Sequence, residues 1–295
     1  NKRMAPLISF IIPFFGNADK DLLAESLASI QEQGLKENEE YEVLICDDSG
    51  LGIGGARNNG LSRAKGRYIM FVDADDRLLP NSINTQIINT LKIENPDVFT
   101  LGFLTQEKEN APKLTFSYQC YESGAQYLLK HKFLGSVWRH FIRRELIATQ
   151  KLHFSTNRYH QDEAFILQCY LHAKCTLISS WPIYLYNQHA SSVTHQKDVR
   201  MQQTRIEDFG GELILLKQYL ETTPLSIVQH EALERRISFL TIDYLRQLHR
   251  NRCKIAACRE RIQQLKAVKL LPLPNRGYGW KYQLARLTFN LLTAL

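Results

Sequence analysis

Arg67-Tyr68-Ile69-Met70-Phe71-Val72-Asp73-Ala74-Asp75-Asp76 decides how this chain is read: an uncharged run of β-forming residues that stops at three carboxylates. The run from Tyr68 to Val72 shows no polar alternation, which predicts a strand buried on both faces, as in a parallel sheet. Three clustered carboxylates repel one another unless a cation or a basic ligand lies among them. A solvated acidic turn ahead of a helix beginning near Pro80 is the plainer alternative. The carboxyl end of a parallel strand is also where open α/β sheets bind ligands, and there the acids predict a divalent-metal site.

Strands and helices alternate on both sides of this stretch. Leu7 to Pro13 predicts a buried strand, followed by a helix capped at Asp19 and ended at Gly34. Tyr41 to Cys46 predicts a second strand that stops at Asp47-Asp48-Ser49, and a short helix over 54–65 leads into the quoted run. Asp97 to Phe103 predicts a further strand. This spacing implies a mainly parallel, doubly wound sheet. Beyond it the order lapses: 105–117 reads as an excursion or hairpin, and Tyr127-Leu128-Leu129, Val137-Trp138 and Phe141-Ile142 read as helical pieces. A helix over 161–173, two strands at 175–179 and 183–186, and amphipathic helices over 200–220, 225–249 and 255–268 follow.

Gly50-Leu51-Gly52-Ile53-Gly54-Gly55 satisfies the dinucleotide fingerprint, so a dinucleotide-dependent oxidoreductase has to be weighed. Asp47-Asp48 beside that turn would repel a pyrophosphate, and the acids downstream come as a triplet where ribose recognition needs one. Asp73 and Asp75 also match the Asp-x-Asp of haloacid-dehalogenase-type phosphatases, which place it after the first strand rather than the third. There is no P-loop sequence and no paired-histidine zinc spacing.

The composition, with 44% hydrophobic and 23% charged residues, is that of a globular protein. The net charge of +7 is unevenly placed: residues 251–295 hold nine Lys/Arg and one acid, whereas 1–250 hold 28 basic against 29 acidic residues. No nucleic-acid-binding fold accompanies the basic tail, so nucleic acid is not an expected partner. Six cysteines without a Cys-x-x-Cys pattern fit reduced thiols. With no signal peptide and no apolar run long enough to span a bilayer, they predict a cytoplasmic protein. Leu284, Leu287, Leu291 and Leu295 fall on one helical stripe with Tyr278 and Trp280 at its entry. A basic amphipathic helix of this kind suits an anionic membrane surface through 277–295, and peripheral attachment to the inner face of the cell membrane; packing on the protein itself or on another subunit is the alternative.

Set together, five motifs in order resemble those of the family 2 glycosyltransferases of GT-A fold. They are Ile11-Ile12-Pro13, Asp47-Asp48-Ser49, Ala56-Arg57-Asn58-Asn59-Gly60, Asp73-Ala74-Asp75-Asp76 and Gln161-Asp162-Glu163. Tyr184-Leu185-Tyr186-Asn187-Gln188-His189 with Ser191-Ser192-Val193-Thr194 looks like the family's late Tyr-Arg-x-x-x-x-Ser-Val-Thr stretch, so the resemblance covers roughly residues 7–194. Two departures stand out: only six residues separate Ser49 from Ala56, where the family carries a longer segment with an extra strand, and Gln161 replaces a glutamate.

The resemblance implies an α/β fold with a GT-A catalytic domain over 1–196 (nucleotide-binding part 4–103, acceptor-side part 104–196) and a helical C-terminal region over 197–295. It implies a metal-dependent, inverting hexosyltransferase that takes a sugar from a nucleotide-sugar, most often UDP-linked. The acceptor would be a hydroxyl of a glycan or lipid-linked glycan in cell-surface polysaccharide synthesis. The competing class is a non-catalytic nucleotide- or glycan-binding member of the fold. Carried over by motif, Pro13 and Phe15 would line the base pocket and Asp48 or Asp47 would bond the base. Arg57 would reach the diphosphate, with Ala74 beside the donor. Asp73 would meet the ribose or the metal, and Asp75 would bind Mn²⁺ or Mg²⁺, hard cations suited to oxygen. Asp162 would be the general base, with Glu163 next in line. Trp138, Tyr159 and His189 are candidates for the acceptor side.

Overall fold

The computed structural model describes residues 5–16, 18–105, 114–187, 199–251 and 255–294. Two compact units make up the chain: 1–127 with 132–196, and 128–131 with 197–295.

The first unit is built on strand β1 (Ile8–Pro13), every residue of which is buried. It lies between two parallel neighbours, β2 (Tyr41–Cys46) and β3 (Tyr68–Phe71). Continuous apolar sequence is what a strand covered on both faces requires. Helix α1 (Lys20–Gln31) begins where predicted, with Asp19 Oδ1 accepting the Asp21 and Leu22 amides. Helix α2 (Gly52–Arg63) returns the chain to β3.

The expected helix start at Pro80 is corrected to α3 (Thr85–Ile93), capped by Asn84. The residues before it are held otherwise. Arg77–Leu78 form a short strand, β4, and the Gln33 side chain accepts the Ile83 amide and donates to the Leu79 carbonyl. After β5 (Val98–Leu104) come β6 (Gln119–Tyr121) and α4 (Gly124–Lys130). The excursion expected over 105–117 lies largely outside the described residues.

Phe141-Ile142, expected in a helical piece, belong instead to β7 (His140–Arg143), which runs antiparallel between β3 and β5. Both side chains are fully buried there. Helices α5 (Arg144–Thr149) and α6 (Gln161–His172) precede β8 (Thr176–Leu185). The two strands expected at 175–179 and 183–186 are thus one. Their apparent break, Ser180-Trp181-Pro182, is a register shift against β5 at Gly102, where a side chain would strike the Ser180 carbonyl.

The sheet order is β2-β1-β3-β7-β5-β8-β4, with β6 on β8. Strands β1, β2, β3, β5 and β8 point one way and β4, β6 and β7 the other, so the sheet is mixed and mainly parallel. The second unit is helical: α7 (Val199–Thr222), α8 (Ile227–Arg250), α9 (Ile255–Ala267) and α10 (Trp280–Ala294). Among the described residues no helix is long and apolar enough to cross a membrane.

Candidate active site

Register places the acids. Pro13 lies opposite Cys46 and Ile11 opposite Phe71, so β1, β2 and β3 deliver Phe14-Phe15, Asp47-Asp48 and Asp73 to Asp76 at one edge of the sheet. The chain leaves β1 to one side for β2 and to the other for β3, which makes this edge a topological switch point.

The acidic turn after β3 is clamped from the end of β8. Tyr184 Oη accepts the Asp73 amide at 3.1 Å and donates to Asp76 Oδ2 at 2.8 Å. The Asn187 amide donates to Asp76 Oδ1 at 2.8 Å, and its side chain donates to the Asp75 carbonyl at 2.9 Å. Asp76 is 1% exposed. Burial first, and then the charges of Asp73 and Asp75, push its carboxyl up to about 8. Asp76 is therefore the anchor of the turn, while Asp73, Ala74 and Asp75 remain half-buried at its outer side.

The Arg57 side chain, expected at the diphosphate, is 3% exposed and pairs with Asp73 Oδ1 at 2.9 Å. It also donates to Gln161 Oε1 at 3.3 Å, and it lies over the Phe71 and Phe154 rings at 6.0 and 5.5 Å. The guanidinium fork holds the two partners from two separate nitrogens, Nη2 to Asp73 and Nη1 to Gln161. Arg57 thus ties the β3 acids to the first turn of α6. Its neighbour Asn58 completes the joint: its amide side chain donates to the Phe154 carbonyl at 2.9 Å and accepts the Phe154 amide at 2.8 Å. Gly54 lets α2 come this close, because any side chain there would strike the Ser155 carbonyl.

Asp162 and Glu163 both sit in the first turn of α6, beyond His160 in the left-handed region (φ 66°). Burial raises the Asp162 carboxyl above its ordinary range; Arg57 pulls it down and Asp73 pushes it up. Glu163 packs against Gly135, at a spot where a Gly135 side chain would overlap its carboxylate. Asp162 is joined electrostatically to Arg57 and Asp73.

Asp48 is spent on its own loop, its two oxygens accepting the Gly50 and Gly52 amides at 3.1 Å. These are the amides a dinucleotide pyrophosphate would need, so the fingerprint at 50–55 is already filled by an internal anion. Asp47 is exposed and accepts the Ser49 amide at 2.7 Å. Pro13 is buried and Phe15 half-buried at the end of β1. Trp138 is corrected from the acceptor side to the core: it is 8% exposed, stacked on Tyr184 and Tyr186 at 4.5 and 5.6 Å. Tyr159 is half-buried just ahead of α6. His189, with the Ser191 to Thr194 stretch, lies outside the described residues.

No group of three or more His, Cys, Asp or Glu is placed to enclose a metal ion among the described residues. The donor set still suits one kind of cation. Asp73 and Asp75 offer hard carboxylate oxygens, and magnesium-type sites use one or two carboxylates with substrate phosphates completing the shell. The like-charge crowding felt at Asp76 is what such a cation relieves.

The mixed, mainly parallel sheet is of GT-A type, as its superposition on the solved S. aureus TarS structure shows. The sequence model described as Glycosyl transferase family 2 matches residues 48–150. "Uncharacterized glycosyltransferase EpsJ" of Bacillus subtilis is 26% identical over 220 residues, covering 65% of this chain and 64% of its own length. "Poly(ribitol-phosphate) beta-glucosyltransferase" of Bacillus spizizenii is 27% identical over 210 residues, covering 61% of this chain and 32% of its own. The chain thus spans less than two thirds of the length of these relatives. The structure of S. aureus TarS 1-349 in complex with UDP-GlcNAc superposes with a TM-score of 0.66 at 17% identity, over 90% of this chain and 82% of that one. The mannosyltransferase PcManGT of Pyrobaculum calidifontis, solved with GDP-Man and Mn²⁺, gives 0.51 at 13% identity, over 97% and 87%.

Proposed function

We propose that this chain is an inverting glycosyltransferase that moves a sugar from a nucleotide-sugar, UDP-linked, to a hydroxyl of a glycan during cell-surface polysaccharide synthesis. The observation that carries the reading is the link Asp73–Arg57–Gln161, which holds the donor-side acids against the turn that bears Asp162. Asp162 takes the proton of the acceptor hydroxyl as that oxygen bonds to the anomeric carbon. The bond from that carbon to the nucleoside diphosphate breaks on the opposite face, and the diphosphate leaves with the electron pair. A carboxyl raised by burial serves as such a base near neutral pH.

Asp47 is the carboxylate open to a base, and Phe15 the ring beside it; Asp73 serves the ribose or the cation. Asp75, with Asp73, would hold Mn²⁺ or Mg²⁺. Such an ion, when bound, offsets charge on the departing diphosphate as a Lewis acid. A lipid-linked acceptor would lie at the inner membrane face, and 277–295, basic and free of acid, is the part of the chain suited to that surface.

Thermal melting with UDP, GDP, CDP and dTDP, each with and without Mn²⁺, tests the donor site. UDP with Mn²⁺ is expected to stabilise the protein, and Asp75→Asn to lose the metal-dependent part. If none of the four nucleotides raises the melting temperature with metal present, the donor-site assignment fails.

A further inference from the structure

Helix α10 presents large apolar side chains outward. Trp280 is 72% exposed, Leu284 61%, Leu287 59% and Leu291 70%. At 3.6 residues per turn these four share one face, where a surface helix ordinarily carries polar residues. The opposite face is already engaged. Tyr282 and Thr293 are buried, Tyr282 donates to the Pro274 carbonyl at 2.7 Å, and the Asn290 side chain accepts the Leu273 amide at 2.7 Å and donates to its carbonyl at 3.1 Å. The stripe is therefore outward because the helix is held by its other side, and a contiguous patch of this kind marks a docking surface.

Charge identifies the occupant. Between Glu260 and Leu295 the sequence has no acid and six cations, of which Arg261 and Arg276 are already paired with Glu207 and Glu234 at 2.7 and 2.8 Å, so the charge on offer is that of Lys266, Lys269, Lys281 and Arg286. Lys266, Lys269 and Lys281 are exposed, and the Lys281 ammonium lies 5.5 Å from the centre of the Trp280 ring at the helix entry. Pairing two copies through this stripe would bring two acid-free basic segments together; an anionic lipid surface neutralises the same charges. The 15 residues of α10 fall short of the roughly 20 needed to span a bilayer.

We infer that α10 lies in the plane of an anionic lipid surface, with Trp280, Leu284, Leu287 and Leu291 entering the boundary between headgroups and acyl chains. The inference rests on the membrane part of the reading above and not on its chemistry.

Flotation of the full chain with phosphatidylethanolamine–phosphatidylglycerol vesicles, against phosphatidylcholine alone, tests it. The anionic vesicles are expected to carry the protein, and phosphatidylcholine to bind it at least about tenfold more weakly. The triple variant Leu284→Gln, Leu287→Gln, Leu291→Gln, at three exposed positions, should keep its circular dichroism and melting curve and lose at least about tenfold in binding. Lys281→Gln should lose about fivefold, the share of one surface cation. Three outcomes overturn the inference: no flotation with anionic vesicles, equal flotation of the triple variant, or a triple variant that differs from the parent only by passing from dimer to monomer in sedimentation. UDP-dependent melting of the same variant reports on the donor site separately, so either reading can fail while the other stands.

Discussion

Arg57→Lys separates a strut from a ligand. Lysine keeps the positive charge and removes the fork, which here spans Asp73 at 2.9 Å and Gln161 at 3.3 Å. An ammonium puts all its donors on one nitrogen at the end of a flexible stem, so the two-nitrogen grip on Asp73 and Gln161 is lost. Losing the charge-assisted hydrogen bond to Gln161 costs about 1.5–3 kcal/mol. Losing the desolvated contacts with Phe71 and Phe154 costs about 1–2 kcal/mol. A total of roughly 2.5–5 kcal/mol lowers the melting temperature by roughly 5–20 °C in a protein of this size.

Because the side chain is 3% exposed, UDP affinity, read by calorimetry, should match the parent within scatter. The transfer rate should fall, approaching the roughly hundredfold loss that a 1 Å misplacement of a catalytic group brings. A variant that melts like the parent and binds UDP far more weakly would put Arg57 on the diphosphate and refute the strut.

Tyr184→Phe removes one hydroxyl, which takes the partner from the Asp73 amide and from Asp76 Oδ2 while Asp76 Oδ1 keeps the Asn187 amide. A loss of roughly 2–4 kcal/mol is expected in urea unfolding, and a loss near zero would mean that the clamp is not formed. For Asp162, burial raises the carboxyl, so the group stays protonated at pH values where an ordinary carboxylate has ionised. The transfer rate should thus rise with pH along a limb set above the ordinary carboxylate range. Asp162→Asn should abolish that limb, cost about 10²-fold or more in rate and leave UDP-dependent melting intact; an unchanged pH profile in the variant points to Glu163.

What was legible in the sequence was what local chemistry decides. Ile8 to Pro13 and Tyr68 to Phe71 are apolar runs broken only by Ser9, and they are inner strands of the sheet; Tyr41 to Cys46, with Glu42 in it, is the edge strand beside them. The acids at their ends could be set side by side because parallel strands share a carboxyl edge. What was not legible depends on partners distant in the chain. Four residues, His140 to Arg143, carry no period long enough to tell strand from helix, and only the gap between β3 and β5 makes them a strand. An arginine beside clustered acids reads as a phosphate ligand, and nothing nearby announces that Phe71, Phe154 and Gln161 enclose it. Tyr184 and Asn187 were within a recognised stretch, yet their grip on Asp76 spans 108 and 111 residues. Asn58 and Gln161 were quoted in motifs without a task, for the same reason.

The antiparallel strand β7 has a consequence for how the chain is made. Strands β3 and β5 never bond each other; β7 alone lies between them. During synthesis, a nascent chain that has emerged only as far as Leu104 holds a three-stranded β2-β1-β3 ribbon with an open edge at β3 and a lone β5 with nothing to pair with. Open edges of buried, apolar strands invite pairing with other chains. Joining the two parts waits for His140 to Arg143, and the far side of β5 waits for β8. A ribosome stall or a cut between 105 and 139 would therefore release a sticky half-sheet rather than a smaller folded domain, and any attempt to express the N-terminal half by itself should carry the chain through Leu185.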